Sequence, residues 1–333
     1  MSTPAAPPRP QLPPFHRSTY PAISPLQNAA LAKTLTGKRI LITGGGSGIG
    51  AAIAKAFANT EPATIVLCGR RLDALEATKS SILNSNTIKS KAVQVVTLSV
   101  DVTREDQVES VFQQAREAVG PLDVCISCAG FFGENGERVV DDASEQIWKA
   151  FEVNVKGSML VARHFFKNAT QDAEGGDGAS QPVLISINAG LGHLPPPLVA
   201  GPMASSTPGY SASKMGLAKL MEWVAVDVQG RGRVYSVHPG IVKSDLADRL
   251  VGTAANPEQL KAAVTFDDAE LPADFCVWLA STEGKCIPSG KYLWCNWDVD
   301  ALKEQSSQIY RNPFMHTTGL LGLELFGFGA DPH

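Results

Sequence analysis

From residue 38 onward, short apolar runs rich in β-branched residues alternate with longer segments in which apolar residues recur every three or four positions. The short runs are typical of buried strands, and the longer segments have the periodicity of amphipathic helices. Strands that alternate with helices predict βαβ units with right-handed crossovers and helices on both faces of one sheet. We therefore predict an α/β fold with a doubly wound parallel sheet.

The individual elements follow from the same pattern. The predicted strands are KRILIT at 38–43, TIVLC at 64–68, VQVVTLSV at 93–100, DVCIS at 123–127, VLISI at 183–187, VYSV at 234–237 and KYLWC at 291–295. The predicted helices are 51–58, 72–83, a stretch that ends at residue 119, 147–166, 210–229 and 273–280. A surface loop is expected at 173–181, and a long proline-rich link at 194–209.

The two ends of the chain lack this alternation. Residues 1–36 are rich in proline and contain only short apolar words, which predicts an extended N-terminal arm lying on the domain. Residues 296–333 contain several aromatic side chains and no assignable motif, so we treat them as a C-terminal extension. The expected organisation is a single domain at 37–295 between these two segments.

Composition argues against several classes of function. The 333 residues are 44% apolar, enough to bury a core, and the net charge of −4 comes without a block of lysine and arginine that would bind nucleic acid. No apolar run reaches the length of a membrane span, and prolines stand where a signal peptide needs apolar residues. The six dispersed cysteines suit a reducing compartment. We expect a cytoplasmic protein that binds neither membranes nor nucleic acid.

Cys125 and Cys128 form a C-x-x-C pair, a spacing found in metal sites and thiol redox motifs. Here the pair lies in an apolar strand, where side chains three positions apart face opposite sides. The sequence has no second cysteine or histidine pair at ligand spacing. A structural role is therefore favoured over a metal or redox role, and no metal is expected.

A glycine-rich segment, TGGGSGIG at 43–50, directly follows the first predicted strand and opens the first helix. In this context glycines permit a tight turn and close backbone approach, while the helix amino terminus offers N–H groups to a pyrophosphate. A merely flexible turn is the alternative. The candidate cofactor-binding residues of this segment are Thr43, Gly44, Ser47, Gly48, Ile49 and Gly50.

The spacing T-G-x-x-x-G-x-G, together with a later Y-x-x-x-K, resembles the short-chain dehydrogenase/reductase family. The resemblance covers about residues 37–295 and implies a Rossmann-type domain that binds a nicotinamide dinucleotide. Gly69 and Arg70 stand after the second strand, where NAD-preferring relatives usually carry an acidic residue. A guanidinium there suits the 2′-phosphate of NADP(H), which we therefore expect in preference to NAD(H). The alternative is that Arg70 and Arg71 form a solvated basic pair.

The resemblance implies further cofactor contacts after the later strands. Asp101 and Val102 match the pair that contacts adenine, and Ala129 and Gly130 match half of an Asn-Asn-Ala-Gly segment. After the sixth predicted strand, a Pro-Gly-x-x-x-Thr-like segment is implied to close the nicotinamide pocket. Its candidate residues are Pro239, Gly240, Val242 and Ser244.

Tyr210 and Lys214 form the Y-x-x-x-K motif, which on a helix places both side chains on one face. A phenol is a poor acid or base near neutral pH unless nearby positive charge stabilises its phenolate, as the Lys214 ammonium can. The family pattern gives Tyr210 the proton-transfer role and lets Lys214 also hold the nicotinamide ribose. Asn154 matches the asparagine that anchors a water chain, although it can also be a polar residue at a helix kink.

One family position departs from the pattern. The usual apolar-Ser-Ser-x-x-Gly segment is Ile185-Ser-Ile-Asn-Ala-Gly190 here, which puts Ile187 where the catalytic serine is expected. Losing one such donor typically costs about a hundred- to a thousandfold in rate. Asn188, Ser205 and Ser206 are candidates to compensate for it, and for each a plain structural role is the alternative. Ser186 is disfavoured because strand alternation points it away from Ile187.

The function implied is an NADP(H)-dependent oxidoreductase that reduces a carbonyl or imine, or oxidises a secondary alcohol. Ile187 and the proline-rich link favour instead a fold adapted to cyclase, isomerase or dehydratase chemistry, and a non-catalytic nucleotide-binding protein is the third possibility. Apolar residues at 246–266 indicate a medium-sized, mostly apolar substrate. Family members usually pair through their long helices, so a homo-dimer or homo-tetramer is expected.

Overall fold

The computed structural model describes residues 14–62, 64–86, 88, 93–133, 139, 145–169, 181–192, 208–244, 247–248 and 264–311. All seven strands run parallel in one sheet, in the order β3-β2-β1-β4-β5-β6-β7. The predicted α/β doubly wound parallel sheet is confirmed. The strands are β1 Arg39–Thr43, β2 Thr64–Gly69, β3 Gln94–Ser99, β4 Val124–Ser127, β5 Val183–Ile187, β6 Arg233–His238 and β7 Lys291–Trp294.

The helices connect the strands and cover both faces of the sheet. Two short 3-10 turns, Gly190–Gly192 and Glu283–Cys286, lie after β5 and before β7. The helices are α1 Ala29–Lys33, α2 Gly48–Ala58, α3 Leu72–Leu83, α4 Glu105–Val119, α5 Glu145–Phe151, α6 Ser158–Asn168, α7 Pro208–Asp227, α8 Glu270–Ala280 and α9 Val299–Arg311. A π-helical turn, Glu152–Gly157, joins α5 to α6.

Two apolar clusters lie on opposite faces of the sheet. In β1, Ile40 and Ile42 belong to the first cluster, which contains buried residues of α2, α3 and α8. Leu41 belongs to the second cluster, which contains buried residues of α4, α6 and α7. The alternation follows from strand geometry, in which successive side chains face opposite sides.

The C-x-x-C pair is divided between these faces. Cys125 belongs to the second cluster, whereas Cys128 packs against the first. Both are free thiols, and burial raises the pKa of each. The described residues contain no group of three or more potential metal ligands.

Residues 14–36, for which the sequence predicts an extended arm, form turns and helix α1. Asn28 caps α1 by accepting a hydrogen bond from the Leu31 backbone at 3.0 Å. Ile23, Leu31 and Leu35 are buried in the first cluster. This segment is therefore integrated into the core, although the boundary proposed at residue 36 stays a prediction.

The chain after β7 contains a helix that the sequence analysis did not assign. Asp298 accepts hydrogen bonds from the backbone of Asp300 and Ala301, both at 3.0 Å, and so stabilises the start of α9. Val299 and Leu302 are buried, which anchors the helix on the first cluster. The His16 side chain bonds to Asp298 at 2.9 Å, so the two end segments touch each other.

Several expectations lie outside the described residues: the loop at 173–181 except its last residue, Leu250, Val251 and Leu260 of the substrate-covering segment, and Ser205 and Ser206. Within the described part of the chain, no helix combines the length and apolar character needed to cross a bilayer.

Asp274 connects α8 to the N-terminal segment. Its side chain is almost completely buried, and the Thr19 hydroxyl donates a hydrogen bond to its Oδ2 at 2.6 Å. Burial raises the pKa of Asp274 to about 6, an effect larger than the opposing hydrogen bonds from Thr19 and Ser24. The folded protein therefore binds this proton more tightly than the unfolded chain does.

We predict that ionisation of Asp274 lowers stability as the pH rises, because the unfolded chain releases this proton near 3.8 and the folded protein near 6. Asp274→Asn keeps an oxygen for Thr19 and cannot ionise. Its free energy of unfolding at about pH 7.5 should therefore exceed that of the wild type by about 1 to 3 kcal/mol. Urea denaturation at about pH 4.5 and about pH 7.5 measures the difference. The control Asp268→Asn, at an exposed neighbouring position, should not alter the pH dependence of the free energy of unfolding. Equal pH dependence in Asp274→Asn and the wild type would contradict the prediction.

Candidate active site

The glycine segment forms a tight turn between β1 and α2. The Thr43 Oγ1 accepts hydrogen bonds from the backbone N–H groups of Cys128 and Ala129, at 3.1 and 3.2 Å. Gly44 has φ +69, and a side chain there would meet the Ala129 backbone at 3.0 Å. A Cβ at Gly50 would lie 2.2 Å from the Gly44 carbonyl oxygen. The turn therefore holds the chain after β1 directly against the chain after β4, and only glycine fits at these positions.

The amino terminus of α2 is open to a ligand. Ser47 and Gly48 are exposed, and within the described structure the Ser47 side chain makes no capping hydrogen bond. Gly48 has φ +52, and Ile49 packs against the first cluster. Backbone N–H groups at a helix start bind anions, so this turn fits the pyrophosphate of a dinucleotide.

Two arginines follow β2 beside the same turn. Arg71 donates a hydrogen bond to the Ser47 Oγ at 3.5 Å. The Arg70 guanidinium is exposed and lies near Asp101. Burial opposes ionisation of Asp101, but bonds from Thr103 and the charges of Arg70 and Arg104 outweigh it, so the pKa of Asp101 is lowered. Both arginines therefore surround one end of the site.

Val102, next to Asp101, packs beneath the π-helical turn. A side chain at Gly157 would meet the Val102 Cγ2 at 2.8 Å, so the helix and the chain after β3 are in close contact. Val102 is buried in the second cluster. It therefore positions Asp101 against the domain.

Tyr210 and Lys214 lie at the start of α7, beside the carboxyl end of β5. Both are buried, and the Lys214 Nζ donates a hydrogen bond to the Ile187 carbonyl oxygen at 2.9 Å. Burial lowers the pKa of Lys214 to about 8 and raises the pKa of Tyr210 above its usual value. The Lys214 Nζ lies 5.7 Å from the centroid of the Tyr210 ring.

Asn154 lies in the π-helical turn and is completely buried. Its Oδ1 accepts from the Phe131 N–H at 2.8 Å, and its Nδ2 donates to the Phe131 carbonyl and the Ser213 Oγ, both at 2.9 Å. The Ser213 Oγ in turn donates to the Tyr210 carbonyl oxygen at 2.8 Å. Asn154 therefore fixes the chain after β4 to the helix that carries Tyr210 and Lys214.

The same chain segment approaches both polar side chains at Gly130. A Cβ at this position would lie 3.5 Å from the Asn154 Oδ1 and 3.8 Å from the Lys214 Nζ. The structure therefore brings Asn154, Lys214 and the Ala129-Gly130 segment together.

Ile187 and Asn188 end β5. The Ile187 side chain is buried in the first cluster, and its carbonyl oxygen holds Lys214. The Asn188 Nδ2 is buried and has no hydrogen-bond partner among the described residues, an arrangement that typically costs about 1 to 3 kcal/mol. Ser186 is fully buried on the neighbouring position of the strand.

The segment after β6 is held from outside the site. Pro239 is buried, and Gly240 has φ +74, where a Cβ would lie 2.4 Å from the Asp267 Oδ2. That oxygen accepts a hydrogen bond from the Ile241 N–H at 2.8 Å, and the other carboxylate oxygen pairs with Arg17 at 3.1 Å. The N-terminal segment therefore supports this loop through Asp267.

Val242 and Ser244 complete the loop. Val242 is buried and pairs with Asp267 in an isolated parallel bridge. The Ser244 Oγ accepts a hydrogen bond from the Ala247 N–H at 3.2 Å. A Cβ added at Gly48 would lie 3.5 Å from the Ser244 Cβ. The loop after β6 thus lies directly beside the glycine turn.

Some contacts near the site could not be predicted from the sequence. Phe132 packs against the Tyr210 ring with centroids 5.0 Å apart. His238 accepts a hydrogen bond from the Gly190 N–H at 2.9 Å through Nδ1, and its ring packs edge-on against Trp294 at 4.4 Å. Asp267 and Arg17 are distant in sequence and carry no motif. Only the three-dimensional arrangement identifies these contacts.

Comparison with known proteins connects this geometry to a family. Residues 38–254 match the model of the short chain dehydrogenases. The chain is 27% identical over 306 residues to the short chain dehydrogenase MYCFIDRAFT_6125 of Pseudocercospora fijiensis, covering 89% of this chain and 91% of the relative. It is 28% identical over 309 residues to the short chain dehydrogenase/reductase AacuD of Aspergillus aculeatus, covering 92% and 95%.

Solved structures share the fold. A short-chain type dehydrogenase/reductase from Mycobacterium marinum gives a TM-score of 0.67 at 23% identity, covering 80% of this chain and 96% of that one. Levodione reductase gives 0.66 at 22% identity, covering 82% and 99%.

We predict that Gly50→Ala lowers the affinity for nicotinamide dinucleotides at least about tenfold, because its Cβ must displace the Gly44 carbonyl and distort the pyrophosphate turn. Gly216→Ala is the matched control, since it is also a helical glycine and its nearest neighbour would be 3.6 Å away. Both changes raise intrinsic helix propensity by about 1 kcal/mol. Titration of NADPH and NADH measures binding, and unchanged affinity in Gly50→Ala would contradict the assignment of the turn.

Proposed function

Because the chain belongs to the short-chain dehydrogenase family, we propose that it is an NADP(H)-dependent oxidoreductase that reduces a carbonyl or imine, or oxidises a secondary alcohol. The observation that carries this proposal is the buried pair of Tyr210 and Lys214 beside the carboxyl end of β5. The family membership supports oxidoreductase chemistry with a nicotinamide dinucleotide. The preference for NADP(H), the residues in each role and the substrate class are our proposals.

The basic residues after β2 support NADP(H) over NAD(H). Gly69 ends β2 without an acidic side chain that would hold the ribose hydroxyls and repel a 2′-phosphate. Arg71 bonds to Ser47 in the glycine turn, and Arg70, the preceding residue, lies near Asp101. Guanidinium groups form charge-assisted hydrogen bonds with phosphate, so this arrangement fits the additional phosphate of NADP(H).

When bound, the reduced nicotinamide would supply a hydride to the substrate carbon. Tyr210 would donate its proton to the substrate oxygen. The Lys214 ammonium would stabilise the phenolate that remains and bind the nicotinamide ribose. Asn154 would hold the chain after β4 against α7 through its hydrogen bonds with Phe131 and Ser213.

The surroundings of Tyr210 support an apolar substrate. Phe132, Ala189 and Tyr210 form a small buried apolar cluster, with Leu191 packed against it. Trp294 lies near Gly190, where a Cβ would be 3.2 Å from the indole. Apolar walls with few polar groups favour a medium-sized, mostly apolar molecule.

We also propose that the protein forms homo-oligomers through its long helices. Large apolar side chains are exposed on α5, α6 and α7. Helices α5 and α7 pack against each other, so these side chains lie on neighbouring helices. These exposed side chains are Trp148, Met159, Met215, Trp223 and Val226. Large exposed apolar side chains on neighbouring helices favour a protein contact. The six free cysteines support a reducing compartment, for which we propose the cytoplasm.

We predict that NADPH binds more tightly than NADH and that Arg70→Ala weakens NADPH binding by about tenfold, the loss of one charge-assisted hydrogen bond. NADH affinity should change little, because NADH has no 2′-phosphate. Arg71→Ala should give a similar but separate loss through its contact beside Ser47.

Arg116→Ala serves as the charge-matched control, since this exposed arginine lies at the far end of α4. Calorimetric titration of both cofactors into each variant measures the effect. Equal affinity of the wild type for NADPH and NADH would overturn the assigned preference.

We predict that Tyr210→Phe lowers kcat at least about a hundredfold while cofactor affinity stays unchanged, because only the proton-donating hydroxyl is removed. Lys214→Ala should weaken both kcat and cofactor affinity, since its ammonium serves the phenol and the ribose. NADPH oxidation with a panel of cyclic and aryl ketones, followed at the nicotinamide absorbance, measures turnover. Retention of most activity in Tyr210→Phe would disprove its role as the acid.

A further inference from the structure

Asn188 is held rigidly at the carboxyl end of β5. Its backbone N–H donates to the Val237 carbonyl oxygen at 2.7 Å, which joins it to β6. The residue before it binds Lys214 through its carbonyl oxygen, and the residue after it packs against Tyr210. Asn188 therefore lies between two positions that contact the proposed catalytic pair.

The orientation of the Asn188 amide follows from its one hydrogen bond. Its Oδ1 accepts from the Ala189 N–H at 2.8 Å. Since a backbone N–H can only donate, the atom that faces it must be the oxygen, and the free end of the amide must be the NH2 group. The side chain thus presents a donor of fixed identity.

That donor is buried and lacks an acceptor. Asn188 is 2% exposed, and within the described part of the chain its Nδ2 has no hydrogen-bond partner. Buried amide donors are nearly always paired in folded proteins, so an unpaired one at a functional edge is a candidate for binding a ligand. An acceptor atom supplied by the substrate would satisfy it.

Ile187 shows why this donor is needed. Its side chain has no hydroxyl and is buried in the first cluster, so it cannot donate to a substrate oxygen. The next residue along the chain carries the unpaired NH2 group. The two observations are independent, because one concerns the chemistry of residue 187 and the other the hydrogen bonding of residue 188.

We propose that Asn188 is a catalytic residue whose Nδ2 donates a hydrogen bond to the carbonyl oxygen of the substrate. In the step, the substrate carbon would gain a hydride from the reduced nicotinamide, which would become oxidised. The C=O π pair would move to oxygen, and that oxygen would take the Tyr210 proton and leave a phenolate. Asn188 loses no proton and stabilises the negative charge that develops on the oxygen. The inference rests on the proposed reductase function.

The main test is a double-mutant cycle on the best ketone of the panel. Asn188→Ala should lower kcat by about a hundredfold, with NADPH affinity within about twofold of the wild type. Ile187→Ser should raise kcat at least about tenfold more in the Asn188→Ala background than in the wild type, because only in that background is the donor missing. Thermal unfolding of each variant with and without NADPH verifies folding and binding.

Asn188→Asp provides a second measurement that preserves the shape and the acceptor for the Ala189 N–H. A protonated carboxyl can donate a hydrogen bond and an ionised one cannot. The kcat of this variant relative to the wild type should therefore fall as the pH rises.

The outcomes separate the two proposals. If the wild type reduces ketones and Asn188→Ala retains kcat within about threefold, the donor role is wrong and the reductase function stands. A pH-independent ratio for Asn188→Asp would also overturn the donor role. If the wild type oxidises NADPH with none of the ketones, the proposed reductase function is wrong, and so is the role of Asn188 that rests on it.

Discussion

The hydrogen bond from the Lys214 ammonium to the Ile187 carbonyl oxygen joins α7 to the central sheet at the site. A buried ammonium is costly unless it is paired or hydrogen-bonded, so this contact sets how far α7 can move from β5. Tyr210 lies one helical turn before Lys214 and is positioned by the same contact. The position of the phenol therefore depends on backbone geometry at the end of a strand.

The chain after β4 is fixed by two polar side chains from opposite sides. Thr43 binds its first two N–H groups from β1, and Asn154 binds Phe131 from the π-helical turn. The segment between them needs small residues, since Gly130 leaves room between Asn154 and Lys214. A π-turn aims one side chain differently from a regular helix, which allows Asn154 to reach both Phe131 and Ser213.

Local periodicity was sufficient to predict the parallel sheet and most of its helices, because buried strands and amphipathic helices each impose a characteristic spacing of apolar residues. The start of α9 depends on Asp298, and the described N-terminal segment buries just three apolar side chains in the first cluster, Ile23, Leu31 and Leu35. Such sparse anchors give no sustained pattern. At the site, motif spacing predicted the proximity of Tyr210 and Lys214, whereas the Arg17 to Asp267 pair joins residues 250 positions apart and leaves no local signal. The role assigned to each site residue stays a prediction until it is measured.

The identity of residue 187 reflects a conflict between packing and chemistry at one strand end. Its side chain faces the first cluster together with Ile185 and Val237, where an isoleucine adds about 2 to 3 kcal/mol of apolar burial. A serine there would lose that contribution. Residue 188 instead lies just beyond the last paired residue of β5, where its main chain still bonds β6. A polar side chain at this position leaves the packing of the Ile187 side chain in the core in place.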